Sequence, residues 1–413
     1  MRSWVWRVAW PCLCWTWALE LSSVNMGFPS FAEGPLYSQW KTVVPSVDWP
    51  CFGLGQLCLS LGLSLVDLHI GPNLKRKKKK IMDREQEDLQ FLGFFGIIKE
   101  SFKIIFSWRK IFSQITLALI LPLSFIFLAH IQISQLLFFK IVDNEDSLDH
   151  TQKNTPKYAK LTDVVSSEWA ALWVFKAAYF TFLLILSLLS TSAVVYTIAS
   201  IYTAKEITFK KVLSVVPKVW KRLFITFICS FAIVLVYNIV AGALLISWAA
   251  FVGFRPIGAT IFVLFLIIYL IGFVYISIVW HLASVVSVLE DVYGFKAMVK
   301  SKALIKGKMG IAVGFFILLS LCFIGIEVVF ENFVVLGMER GAGVRVSVGI
   351  LCFLFLFKVI LFGLVVQTVI YFVCKSYHHE NIDKSSLADH LEVYLGEYVP
   401  LKAKDLQLGE FHV

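Results

Sequence analysis

The 413-residue chain is 58% hydrophobic and 16% charged, with a mean hydropathy of +0.78 and a formal net charge of +10. Soluble globules carry about a quarter charged residues, so this composition excludes one and describes a polytopic membrane protein. The positive charge calls for no nucleic acid: residues 1–81 hold nine Lys/Arg against four acids, and the remainder is nearly balanced at 29 against 24.

Residues 1–81 differ from everything after them. Seven of the 13 Trp fall before residue 50, and the first apolar run, Cys51–Val66, gives way to Asp67 and the basic block Lys75–Lys80. Three readings stand. A cleaved leader is opposed by Glu20 and the absence of an A-x-A-like site. An extra span over Cys51–Ile70 is short and diluted by glycine and serine. A poorly structured or dispensable extension, of which a gene-model addition upstream of Met82 is one version, is the expectation adopted, because Met82 opens a different and self-consistent composition.

Residues 82–112 form an acidic start and a first amphipathic segment, in which Ile98, Phe102, Ile105 and Phe112 recur at helical spacing with Lys99, Lys103 and Lys110 elsewhere. That is the pattern of a helix lying in the headgroup plane. Residues 113–374 form the membrane domain. Apolar runs at 113–139, 173–202, 223–251, 257–289, 309–336 and 348–374 each reach the roughly 20 residues that the hydrocarbon thickness demands. Six spans are therefore expected, the first kinked at Pro122.

Lys and Arg set the orientation. The segments before the first, third and fifth spans hold Lys99, Lys103, Arg109 and Lys110, then Lys205, Lys210, Lys211, Lys218, Lys221 and Arg222, then Lys296, Lys300, Lys302, Lys306 and Lys308. The loops between are poorer in both, so both termini are expected in the cytosol. Segments starting at Gly96, Thr208 and Gly294 also align with one another: about four turns of mixed apolar and basic residues, a basic step, then hydrocarbon. The fold expected is all-α, six transmembrane helices built as three repeats of a basic interfacial helix plus a helical hairpin. A polar insertion, Val142–Glu168, lengthens the first hairpin.

Residues 375–413 form an acidic tail. Ser386 and Asp389 resemble a capping box, and Leu387, Leu391 and Tyr394 share one face of a short amphipathic helix that Gly396 and Pro400 end. Such a helix suits docking on the basic segments or on a protein partner.

Charged groups within spans are functional suspects. Glu327 and Lys358 fall at similar depth on neighbouring spans, about 7 and 4 Å beyond the midplane at 1.5 Å per residue, which allows an ion pair. Asn238 sits in the middle of the third span, and Ser187, Ser190, Thr191 and Ser192 cluster in the second, where helix gluing by hydrogen bonds and close packing is expected. His130 and His281 lie towards opposite faces and suit interfacial packing. His378, His379, Asp389 and His390 lack ligand spacing, so no metal or cofactor is expected, and no phosphate loop, nucleophile elbow or zinc-protease motif occurs.

From Met82 onward the chain resembles the plant six-span transmembrane proteins of uncharacterised function, some of whose members are labelled polyadenylate-binding-protein-interacting. The resemblance rests on LPLSF (121–125), LLSTSAVVYTIASIYT (188–203), KRLFITF (221–227), WHLASVVSVLEDVYG (280–294), CKSYHH (374–379) and HLEVYLGEYVPL (390–401). It implies membrane residence and brings no catalytic residues. The plan of interfacial helix plus hairpin also looks like the membrane domain attached to some bacterial glycerophosphodiester phosphodiesterases, a likeness of pattern that carries no function.

These readings converge on a non-enzymatic protein of an endomembrane or the plasma membrane. Its lysines and Arg222 (Lys99, Lys103, Lys110, Lys210, Lys211, Lys218, Lys221, Lys300 and Lys306 with it) would contact anionic lipid, and its tail would dock. The competing reading is a transporter or channel built on Glu327, Lys358 and Asn238.

Overall fold

The structure is a computed structural model that describes residues 89–152, 155–203, 207–251, 256–337, 339 and 341–378. The extension 1–81 and the tail residues Leu387, Leu391 and Tyr394 lie outside them. Among the described residues every regular element is helical: α1 (Phe94–Ser107), α2 (Arg109–Asp149), α3 (Pro156–Tyr202), α4 (Phe209–Phe251), α5 (Pro256–Leu289), α6 (Phe295–Leu304), α7 (Met309–Val335) and α8 (Ala342–Tyr377). All but α1 and α6 are long and apolar enough to cross a membrane, six in total. Helices are what such sequences must form, since hydrocarbon leaves the backbone no partner but itself. The outer surface of the bundle is correspondingly apolar, with Leu264, Ile268 and Ile271 of α5 exposed.

The C-terminal half of α3 is the centre of the packing. Every residue from Ser190 to Tyr202 is buried, an arrangement that small residues on all sides of the helix permit. The hydroxyls there turn back on their own helix: Ser190, Thr191, Ser192, Thr197 and Ser200 donate to carbonyls one turn earlier at 2.7–2.9 Å. The expected cross-helix hydrogen bonding from this cluster is thus replaced by close packing.

Three departures from the sequence reading have local causes. Pro122 follows a π-helical turn, Thr116–Ile120, and occupies the first turn of the helical stretch Leu121–Asp149. The widened turn accommodates the missing N–H. The polar insertion of the first hairpin is helical up to Asp149 and again from Pro156, extending α2 and α3 to roughly 60 and 70 Å at 1.5 Å per residue. Lys140 to Glu168 (3.0 Å), Asn144 to Glu168 (2.8 Å) and Trp169 to Glu145 (2.9 Å) tie its arms together. Thr155, whose Oγ1 accepts from the Tyr158 amide, caps α3 ahead of Pro156.

The third departure concerns the basic segments. A separate helix precedes α2 and α7, but α4 runs unbroken from Phe209 through Pro217 into its span. The first break falls at Trp108, which leaves helical geometry at φ −116°, ψ 30°. The other uses Gly307 at φ +94°, where a Cβ would also meet the Tyr377 ring. No glycine lies between Thr208 and Gly242 to make a comparable turn.

α1 and α6 both pack into the bundle. α1 buries Ile97, Ser101, Ile104 and Ser107, a stripe one residue over from the expected one, and stacks Phe94 on Phe315 and Phe102 on Phe362. α6 buries Ala297, Met298, Ser301 and Leu304; Ser301 Oγ donates to the Val279 carbonyl of α5 at 2.7 Å.

Candidate functional site

The ends of α3, α5 and α8, with α6 and the starts of α4 and α7, make one end of the bundle, called here the basic end. Glu290, just past α5, is its hub. Its carboxylate accepts from Tyr371 Oη (2.6 Å) and Lys375 Nζ (3.0 Å) on α8 and pairs with Lys300 Nζ of α6 (2.6 Å). Burial pushes this carboxyl up, but the hydrogen bonds from Lys300 and Tyr371 and the charge of Lys375 outweigh burial and hold it below the ordinary carboxylate range. Next to it, Asp291 pairs with Arg222 of α4 at 2.8 Å.

The turn that follows is fixed to α4. Gly294 takes φ +66°, and its amide donates to Thr226 Oγ1 at 2.7 Å, an oxygen that also lies 2.7 Å from Ser287 Oγ. Thr226 and Ser287 are fully buried. At the far side of α6, His378 Nε2 lies 2.9 Å from the carbonyls of both Leu304 and Lys306, and Lys308 Nζ reaches the Gln90 carbonyl. Four stretches that carry the resemblance therefore meet here: α3's buried half, Lys221–Phe227, Trp280–Gly294 and the end of α8.

The intramembrane residues singled out from sequence do not form one site. Asn238 is buried between α4 and α5, its amide donating to the Val234 carbonyl and its oxygen accepting from Tyr269 Oη at 2.8 Å. Tyr237 donates back to the Tyr269 carbonyl, and the two rings stack. Glu327 and Lys358, both half-buried, make no ion pair within 4 Å among the described residues. Their direction around the helix explains it. Gly349 and Gly363 face Val334 and Leu319 of α7, and at about 100° per residue Lys358 projects about 140–180° away from them.

Of the residues expected at lipid headgroups, Arg222 and Lys300 are held in the ion pairs above and Lys103 lies 3.6 Å from Glu100. Lys211 is half-buried, whereas Lys99, Lys110, Lys210, Lys218, Lys221 and Lys306 are exposed.

A cavity of about 190 Å³ lies among α3, α4, α5, α7 and α8, towards the basic end. Aliphatic side chains and phenylalanines 227, 315, 316 and 323 make most of its wall, with His281, Gln367 and the hydroxyls of Ser187, Thr191, Ser284 and Ser320 as its polar groups. Both His130 and His281 were expected to pack at interfaces: His130 stacks on Tyr179 and Phe175, and the His281 ring lies 6.3 Å from that of Phe316.

Six apolar helices around a packed centre define an integral, multi-pass membrane protein. Residues 82–411 match the family described as a domain of unknown function, DUF8558, and the chain belongs to that family. No curated protein and no solved structure matches it.

Proposed function

We propose that this protein is a non-enzymatic, lipid-associated organiser of the membrane, with its basic end in the cytosol and anionic headgroups held on the lysines of that end. The observation that carries the reading is the division of charge there. Glu290 and Asp291 are engaged with Lys300, Lys375 and Arg222, while Lys99 of α1, Lys110 at the start of α2, Lys210 and Lys221 of α4 and Lys306 before α7 remain exposed. Polybasic surfaces beside an anionic leaflet gain about 1 kcal/mol per Lys or Arg. The acidic tail, which holds Leu387, Leu391 and Tyr394, then serves as a docking element for the same surface or a protein partner. Transport through Glu327, Lys358 and Asn238 is the less favoured reading, since Asn238 is taken up in the α4–α5 contact and the two charges do not pair.

The test is native mass spectrometry of the full chain released from nanodiscs containing equal phosphatidylserine and phosphatidylcholine. Retained lipid should be enriched several-fold in phosphatidylserine, and the enrichment should vanish in the variant K99Q/K110Q/K210Q/K221Q/K306Q. Equal retention of the two lipids by the native chain, or enrichment unchanged in the variant, would refute the proposal.

A further inference from the structure

The two short helices each present an outward face that the bundle does not use. In α1, Phe95, Lys99 and Phe106 are exposed and fall within about 40° of arc at 3.6 residues per turn, opposite the buried Ile97, Ser101, Ile104 and Ser107. In α6, Phe295, Val299 and Lys302 are exposed within about 60°, opposite Ala297, Ser301 and Leu304. Phe91, just before α1, is exposed as well. At 81%, 82% and 64%, the exposures of Phe91, Phe95 and Phe295 leave most of each ring outside the packing of the bundle.

The contacts of the buried faces locate the outward ones. Phe94 stacks on Phe315, six residues into α7, and Phe102 on Phe362, 15 residues before the end of α8. Ser301 bonds to Val279, ten residues before the end of α5, and the Gly294 amide to Thr226, 17 residues into α4. At 1.5 Å per residue these anchor points lie about 9–25 Å inside the ends of the long helices. Both short helices therefore run beside the long apolar helices and not beyond their ends. At the opposite end the described residues hold no counterpart, since the arms of the first hairpin carry on along α2 and α3.

We infer that α1 and α6 lie flat in the leaflet at the basic end and make the molecule a wedge, which gathers on membrane curved with that leaflet on the convex side. Phenylalanine alternating with lysine on one helix face suits the boundary of headgroups and acyl chains. The rings dip roughly 5–10 Å below the headgroups, while Lys99 and Lys302 carry their charge up to them. Two helices about 10 Å wide add roughly 350 Å² of cross-section to that leaflet alone. Convex curvature spreads the headgroups and opens acyl-level gaps that the rings fill, the reason amphipathic helices respond to curvature. The inference draws on phenylalanines and needs no anionic lipid, so it and the lysine surface can each fail without the other.

The experiment reconstitutes the full chain in giant vesicles of pure phosphatidylcholine, with a peptide tag after Val413, and pulls an outward tether from each vesicle. The chain beyond α8 has no apolar run of spanning length, so an impermeant dye applied outside marks the copies whose basic end faces outward. The same dye enclosed within the vesicles marks the opposite orientation. Copies with the basic end outward should be enriched several-fold in the tether over the parent vesicle, increasingly as the tether narrows, and oppositely oriented copies should be depleted. F91S/F95S/F106S/F295S, which leaves the bundle-facing sides of both helices intact, should bring the enrichment close to one. Equal density in tether and vesicle, the same enrichment in both orientations, or enrichment unchanged in the variant would overturn the inference. The two orientations of the native chain already decide it, so it remains falsifiable even if the variant does not fold.

Discussion

Glu290 and Glu327 are each an acid at the edge of a long apolar stretch, and the bundle treats them differently. Glu290 collects Lys300, Tyr371 and Lys375 from two other helices. Glu327 is half-buried, has the like-charged Glu331 one turn on, and makes no hydrogen bond or ion pair among the described residues. The contrast teaches that a charge in an apolar stretch becomes a site only when the packing brings partners to it. Depth alone does not bring them, since Lys358 has a suitable depth and the wrong direction.

The largest expected effect follows from breaking the hub. E290A removes the acid that Lys300 and Lys375 share, and thermal unfolding in nanodiscs should show a loss of about 3 kcal/mol, the lower range for a broken buried pair because Lys300 is partly exposed. The pH response has a defined sign. The folded carboxyl titrates below its ordinary value of 4.5, so its stabilisation is complete above about pH 4.5 and drains away as the pH falls further. E290Q should flatten that acid limb, and an unchanged limb would show that Glu290 does not shape it.

Next in size is the tie between the Gly294 turn and α4. T226A strands the buried Gly294 amide, at a cost of about 2 kcal/mol, and T226S should recover most of it. Equal losses in both would assign the effect to the threonine methyl. Smaller again is N238L, which removes the acceptor of the Tyr269 hydroxyl and should cost about 1 kcal/mol, within the range measured for intramembrane hydrogen bonds. Y269F, losing the same bond, should match it; a much larger loss in N238L alone would give Asn238 a further role.

Much of the architecture was legible in the chain. Six apolar stretches of sufficient length fix the number of spans, and the fifth begins at Met309, where the sequence places it. The course of α4 was less legible because alignment with the other basic segments suggested a break, whereas the helix runs unbroken from Phe209 to Phe251. The helical arms of the first hairpin were hidden by their polarity: their ties join residues 24 and 28 apart in sequence, across the two helices.

The hub was the main omission. A signal for it existed, since Glu290 and Asp291 are the only acids between Glu206 and Glu327, in a region rich in lysine. Recognising its partners, however, requires knowing that Tyr371 and Lys375 return to the same end from more than 80 residues away. The cavity was illegible for the same reason, because five helices supply its wall.

The contrast between the two glutamates is tested most directly by a pair of double-mutant cycles on unfolding stability in nanodiscs, one for Glu290 with Lys375 and one for Glu327 with Lys358. A stitched hub and an uncoupled intramembrane pair predict a coupling of at least about 1 kcal/mol in the first cycle and less than about 0.5 kcal/mol in the second. Additive losses at Glu290 and Lys375, or strong coupling between Glu327 and Lys358, would contradict that division.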